Sequence, residues 1–322
     1  MTQSTAGGHV PVMAERVVEL LSPALRRDQA VYLDATLGLG GHAASVLSHN
    51  PGARLIGLDR DPAALALARR RLAPFADRIA LVEAVYDELP QVLSDLATPQ
   101  VDAILFDLGL SSLQIDDLAR GFAYSVDSPL DMRMSGPGPG PTAAELVNSL
   151  SRAELAQLIR RHGQERFADR IAGAIVQARA EAPFERSARL VEVIAGAIPA
   201  AARGSGGHPA KRTFQALRIA VNREQEALVA VLPAALAALG LGGRIVVLSY
   251  HSGEDRLVKR TLAAASSDQV PPGLIEVPES HRARFQLLTS RAERPTATEL
   301  ADNPRSASAR LRAATRIKEV AR

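Results

Sequence analysis

Two acids and a glycine turn carry the clearest chemistry in this chain. Asp34 ends the apolar run Val31-Tyr32-Leu33, and Asp59 ends Leu55-Ile56-Gly57-Leu58. Between them stands Gly38-Leu39-Gly40-Gly41-His42. Glycine lets a backbone turn sharply and lie close to a ligand, because no Cβ intervenes. An acid closing the second strand, 19 residues after Gly40, is placed to accept hydrogen bonds from ribose hydroxyls. Strand, glycine turn, helix, strand and terminal acid form the layout of a nucleoside-binding βαβ unit. Gly38 to Ala43 also fits G-x-G-x-x-A, so a nicotinamide or flavin dinucleotide has to be weighed. Such a ligand sets its pyrophosphate on the turn, against helix N-terminal amides, where the Asp34 carboxylate would repel it. S-adenosylmethionine has no phosphate, and its methionine end carries an ammonium. Asp34 therefore favours that cofactor; its other reading is a turn cap.

The chain has no cysteine. Disulfides and thiolate metal sites are excluded, and a reducing compartment fits. Methylation at a pyrimidine C5 usually needs a cysteine nucleophile, and radical S-adenosylmethionine chemistry needs a cysteine-bound cluster. Methyl transfer by this chain would go directly to nitrogen or oxygen.

The elements that must hold these residues follow from pattern. Val31–Leu33, Leu55–Leu58, Ile79–Val82 and Ala103–Phe106 are short apolar runs with helical stretches between most of them, which predicts a parallel sheet covered on both faces. Asp61 and Pro62 begin a helix as N-cap and first-turn proline. The fourth strand runs into Asp107-Leu108-Gly109-Leu110-Ser111-Ser112, at the sheet end where ligands bind in such folds. After the breaker run Ser135 to Pro141, capping boxes at Thr142-x-x-Glu145 and Ser151-x-x-Glu154 introduce helical pattern. Helices are expected at Ala153–Arg161, Glu165–Ala180 and Leu190–Ile198, then a loop at Gly204 to Gly207. Arg212 to Ala230 reads as one long amphipathic helix, and Arg244 to Tyr250 as a buried strand rejoining the first sheet. Leu274–Val277 and Phe285–Thr289 are expected to close it. Residues 1–118 and 212–322 thus form a discontinuous sheet domain around a helical insertion at 119–211.

At 322 residues, with 47% hydrophobic and 23% charged residues, the chain reads as an ordinary globular protein. The uncharged run Ala227 to Gly243 holds a proline and three glycines and is shorter than the roughly 20 residues a bilayer span needs. With no signal pattern at the start, a cytoplasmic location with no membrane partner is expected. Net charge is +3, yet Arg282 to Arg322 holds ten Lys/Arg against four Asp/Glu. A phosphate-rich partner is one reading of that segment; a solvated basic tail is the other.

With these residues in place, the chain resembles the bacterial 16S ribosomal RNA cytosine-N4 methyltransferases, the RsmH (MraW) family. The likeness covers nearly the whole chain. It is carried by His9-Val10-Pro11-Val12-Met13, the D-A-T-x-G-x-G-G-H turn, and Asp107 through Ser112 with Gln114. It continues in Arg120-Gly121-Phe122, Pro129 to Met134, Gly163 to Ala168, Arg212 to Ile219, Ser249 to Arg256, and Asn303-Pro304-Arg305-Ser306. Any one of these is weak, and their shared order is specific. This chain has Tyr250 and Gly253 where the family usually has Phe and Leu, and Ala307 where it usually has Arg.

The resemblance implies a Rossmann-like α/β class I S-adenosylmethionine-dependent methyltransferase sheet with an inserted all-helical domain for substrate recognition. It implies 16S ribosomal RNA or the small ribosomal subunit as partner, and no metal. It adds His42, Tyr86 and Gln114 to a cofactor site already holding Asp34, Gly38, Gly40, Gly41, Asp59 and Asp107. A cytosine amine is a poor nucleophile, so an acceptor beside it would help. Asp107 is the first catalytic candidate. His251 could take the amine proton or hold its loop by a hydrogen bond. Arg133, Lys211, Arg212 and Arg305 are candidate RNA contacts or solvated cations. Two other classes stay open on the residues alone: a nicotinamide-dependent oxidoreductase, and a non-catalytic RNA-binding or ribosome-assembly protein.

Overall fold

Period-two alternation in the strands decides the layering of the sheet. In the computed structural model, which describes residues 11–202, 207–268 and 277–319, Leu55, Leu105, Val246 and Leu248 face one side, while Leu33, Ile56, Ile104, Phe106, Ile245 and Val247 face the other. The strands are β1 (Val31–Asp34), β2 (Arg54–Asp59), β3 (Ile79–Glu83), β4 (Val101–Asp107), β5 (Leu239–Ser249), β6 (Phe285–Leu287) and β7 (Arg310–Arg316). They form one sheet in the order β3-β2-β1-β4-β5-β7-β6. β1 to β5 run parallel, and β7 runs antiparallel between β5 and β6. This is the Rossmann-like sheet expected of a class I methyltransferase.

The first face is covered by α1 (Ala14–Leu21), α2 (Gly41–His49) and α3 (Pro62–Arg71), through Val17, Val46 and Leu65. The second is covered by α4 (Leu89–Asp95) and, further along, by Leu232 and Val258. The strand order reverses at β1, with β2 on one side and β4 on the other. Asp34 and Asp107 therefore end neighbouring strands at the topological switch point, where crevices open.

The chain divides into two compact units, residues 1–109 with 227–322 and residues 110–226. The helical unit contains α5 (Ser112–Asp116), α6 (Ala143–Ser149), α7 (Arg152–Gly163), α8 (Ala168–Glu181), α9 (Ser187–Ala197) and α10 (Lys211–Asn222). Its own core gathers Leu155, Ile159, Ile171, Ile175, Phe184, Leu190, Phe214 and Leu217. Both expected capping boxes are present, at Thr142 with Glu145 and at Ser151 with Glu154. Helix α8 starts three residues later than its pattern suggests. Gln164 is left-handed at φ 51°, and the Glu165 carboxylate accepts the Phe167 N–H at 2.9 Å.

Four expectations need correction. The predicted single helix from Arg212 to Ala230 is two, α10 and α11 (Glu224–Ala238), because Arg223 turns left-handed at φ 52°. Helix α10 packs its Phe214 and Leu217 into the helical core, so this unit is wider than 119–211 at both ends. Helix α11 runs through Pro233 directly into β5, whose first residues are the glycine-rich stretch Leu239 to Gly243 where the uncharged run reads as a helix end and a turn. Finally, the basic C-terminal segment is not a tail. It contains β7, an interior strand. Arg310 and Arg312 pair with Asp255, and buried Arg316 donates to the carbonyls of Leu239, Ala237 and Lys318. Removing residues 303–322 would take out an interior strand, so it cannot isolate RNA binding. The loop at Gly204 to Gly206 and most of the strand expected at Leu274–Val277 lie outside the described residues.

Gly163 closes α7 against α10 at a distance no side chain tolerates: a Cβ there would sit 2.5 Å from the Arg212 carbonyl oxygen. That atom is backbone and cannot swing away. Gly163→Ala is expected to destabilise the helical unit by about 1–3 kcal/mol, read as a lower denaturation midpoint.

Candidate active site

The glycine turn is built to be left-handed. Gly38 has φ 52° and Gly40 φ 74°, and Gly40 is the N-cap of α2. The turn is pinned from the next strand. Asp59 Oδ2 accepts the Gly38 N–H at 2.7 Å, and its Oδ1 accepts the Asp61 N–H at 2.9 Å. Asp59 thus shapes the turn. Burial pushes its carboxyl above the ordinary range, against the pull of those two amides. Asp61 caps α3 with Pro62 at its first position, as expected.

Asp34 is buried at the end of β1. It accepts the Tyr32 hydroxyl at 3.0 Å and the Thr36 N–H at 3.2 Å, so the turn-holding reading of this residue is satisfied. Burial nevertheless raises its carboxyl to about 6, opposed by His42 and by these two hydrogen bonds. A charge is being held where water is scarce. A cationic group arriving nearby would favour the ionised form.

Asp107 ends β4 beside it. Its own N–H donates to Thr36 Oγ1 at 2.5 Å. Its Oδ1 accepts the Tyr250 hydroxyl at 2.7 Å, and its Oδ2 lies 3.4 Å from His42 Nε2. Burial, then the neighbouring Asp107 charge, pushes the Tyr250 phenol well above its ordinary range. The phenol therefore keeps its proton and donates it. His42 is buried, and both of its ring nitrogens lack a hydrogen-bond partner; the approach to Asp107 is close but off line. Buried polar atoms left unmet are uncommon and call for a ligand or water. Two acids and an unmet imidazole at one crevice fit a ligand with an ammonium and hydrogen-bonding groups, as S-adenosylmethionine has.

Tyr86 follows β3 in a short turn, half-buried, with its ring edge-on to Phe106 at 6.0 Å. Gln114 belongs to the helical unit. There its Oε1 accepts the Ser111 N–H at 3.1 Å and its Nε2 donates to the Met134 carbonyl at 3.2 Å.

His251 is the N-cap of α12 (Ser252–Ala265). Its Nδ1 accepts the N–H groups of Gly253 at 3.1 Å and Glu254 at 3.3 Å. An acceptor nitrogen carries no proton, so a neutral ring holds its proton on Nε2, 3.1 Å from Glu254 Oε1. That geometry serves the loop. Glu254, buried, also takes the Tyr250 and His251 N–H groups on Oε2 at 2.8 and 3.1 Å. Tyr250 and Glu254 were not read from the sequence as site residues. The sequence signals were their place just beyond a buried strand and within the segment Ser249 to Arg256 that carries part of the resemblance.

The cation candidates divide. Arg133 is committed to Asp131 at 2.6 Å and to the Gly138 carbonyl. Lys211 and Arg212 open α10, exposed, with Arg212 3.9 Å from Glu165. Arg305 is exposed in the turn before β7. Among the described residues, no group of three or more acids or histidines could hold a metal, and no helix is long and apolar enough to cross a membrane.

Comparison with known proteins covers the whole of this architecture. Residues 6–317 match the model of the MraW methylase family. A relative from a Nocardioides species is 57% identical over 305 residues, 95% of each chain. One from Thermobifida fusca is 56% identical over 316 residues, 98% of this chain and 96% of its own. One from Acidothermus cellulolyticus is 58% identical over 311 residues, 97% and 94%. All three carry the name ribosomal RNA small subunit methyltransferase H. The acid-flanked glycine turn and the Asp107 crevice are thus parts of one continuous likeness, and the chain belongs to the MraW methylase family.

Proposed function

We propose that this chain transfers the methyl group of S-adenosylmethionine to the N4 amine of a cytosine in small-subunit (16S) ribosomal RNA. The observation that carries the reading is the family match along the whole chain, to relatives named as small-subunit ribosomal RNA methyltransferases. The bound sulfonium supplies an electrophilic methyl group. The protein's own task is alignment and charge. Asp59 holds the ribose, Gly38, Gly40 and Gly41 let the backbone approach, and Tyr86 lies beside the adenine. Asp34 and His42 meet the methionine end. Asp107 accepts a hydrogen bond from the acceptor amine and stabilises the positive charge that develops there. His251 acts as a positioning residue, holding the loop that carries Tyr250.

Exposed Lys211 and Arg212 of the helical unit contact RNA, as does exposed Arg305 of the sheet unit, and the target base is unstacked. The partner places the protein with ribosomes in the cytoplasm. Transfer of labelled methyl to small ribosomal subunits, followed by digestion and mass identification, should yield N4-methylcytidine. Label in another nucleoside, or none, would overturn the reading.

Tyr250 supplies a further expectation. Its hydroxyl donates a hydrogen bond to Asp107 Oδ1. A hydrogen bond to a charged group contributes about 1.5–3 kcal/mol. Tyr250→Phe keeps the ring and should lower kcat about tenfold with little change in cofactor Kd, measured by single-turnover rates at saturating cofactor.

A further inference from the structure

The geometry points to the exposed face of α12 as a phosphate-binding surface that holds single-stranded RNA next to Asp107. Arg256, Lys259 and Arg260 are exposed there, spaced so that they share one helix face. Among the described residues, none of the three enters an ion pair. The two acids that could have neutralised them are committed elsewhere. Glu254 is buried and bound by His251 and two backbone amides. Asp255 is held by Arg312 at 2.7 Å and Arg310 at 3.2 Å.

The first turn of α12 carries the acids Glu254 and Asp255, and the three cations follow in its second and third turns. A helix favours anions near its N-terminus and cations near its C-terminus. All three cations fall in the first nine residues of a 14-residue helix, and the last turn carries no basic residue. The cations lie beyond that first turn, so the attraction for a polyanion comes from their own charge rather than from the helix field.

The N-terminal end of α12 adjoins the strand end that carries the proposed chemistry. Helix α12 begins three residues after β5 ends, and Leu248 of β5 is the register partner of Asp107. Arg256 lies within about 6 Å, along the helix axis, of the first helical residue. Arg310, paired in register with Ser249 and one third exposed, extends the positive surface onto β7. Helix α12 therefore carries unpaired positive charge, whereas much of the C-terminal charge is spent on ion pairs and buried carbonyls. This inference rests on the RNA methyl-transfer reading and says which surface of the sheet unit delivers the strand.

The test uses the full chain with all three positions changed to Ala. The variant is titrated with a small-subunit ribosomal RNA fragment from 50 to 200 mM salt. Each lost single-strand phosphate contact should flatten the slope of log K against log salt by about 0.7. The triple variant should therefore lose about 2 from the slope and at least tenfold in affinity at the low-salt end. Its cofactor Kd should stay unchanged, which also shows that the sheet unit is folded. Arg256→Lys with Arg260→Lys should keep the original slope. An unchanged slope in the triple variant, while the unmodified chain still methylates RNA, would overturn this surface and leave the function standing. Loss of binding to phosphatidylserine vesicles with RNA binding intact would assign the face to a membrane and overturn it too. Failure of the unmodified chain to bind or methylate RNA would sink both readings.

Discussion

Asp107→Ala should reduce methyl transfer by about 10²–10⁴-fold at saturating cofactor. The carboxylate stands at the end of β4, oriented by Tyr250 and approached by His42. If it accepts from the amine, its loss falls on the chemical step, and added cofactor cannot restore the rate. If it only binds the methionine ammonium, the loss falls on cofactor Kd and saturation restores turnover. Single-turnover rates across a wide cofactor range separate these outcomes. Asp107→Asn sharpens the test, since it keeps the shape and an acceptor oxygen for Tyr250 while removing the charge. A near-normal saturated rate in either variant would leave the acceptor role without its residue.

Asp34→Asn should do two opposite things. The carboxyl is raised from its ordinary value to about 6 by burial, so ionising it in the ligand-free fold at neutral pH costs about 3 kcal/mol at 1.36 kcal/mol per unit. A carboxyl raised on folding stabilises the fold fully below its unfolded value near 4, and that contribution is lost as pH rises through about 6. The asparagine variant has no charge to bury, and its amide can still serve Tyr32 and Thr36. It should melt a few degrees higher than the unchanged protein at pH 7.5 without cofactor, and the difference should shrink at pH 5. Its affinity for S-adenosylmethionine should fall about 10²-fold, because the anion facing the ligand's ammonium is gone. Lower stability with normal affinity would make Asp34 a turn cap and nothing more.

The sheet was legible because its strands are short apolar runs with glycine and acid punctuation, and their alternation survives into the two faces of the core. Asp61, Thr142 and Ser151 were legible as caps because capping is local. The break at Arg223 was not, since a left-handed arginine leaves no mark in composition. Nor was β7: Arg310 to Arg316 is rich in arginine, and only the Asp255 carboxylate and the carbonyls beyond α11 turn those cations inward. At the site, Asp34, Asp59 and Asp107 were readable from their places at strand ends. Tyr250 and Glu254 were not, because their roles depend on β5 lying beside β4, which no local pattern states. His251 shows the converse: a histidine after a buried strand suggests a base, and the fold spends its lone pair on two backbone amides.

Equilibrium titration of the full chain with S-adenosylmethionine and, separately, with NAD at pH 8 and pH 5 tests most directly whether the acids at the glycine turn choose the ligand. S-adenosylmethionine should bind and NAD should not, and binding should weaken about tenfold per unit below pH 6 as Asp34 takes up its proton. Tight NAD binding, or S-adenosylmethionine affinity that is flat in pH and indifferent to Asp34→Asn, would contradict the account.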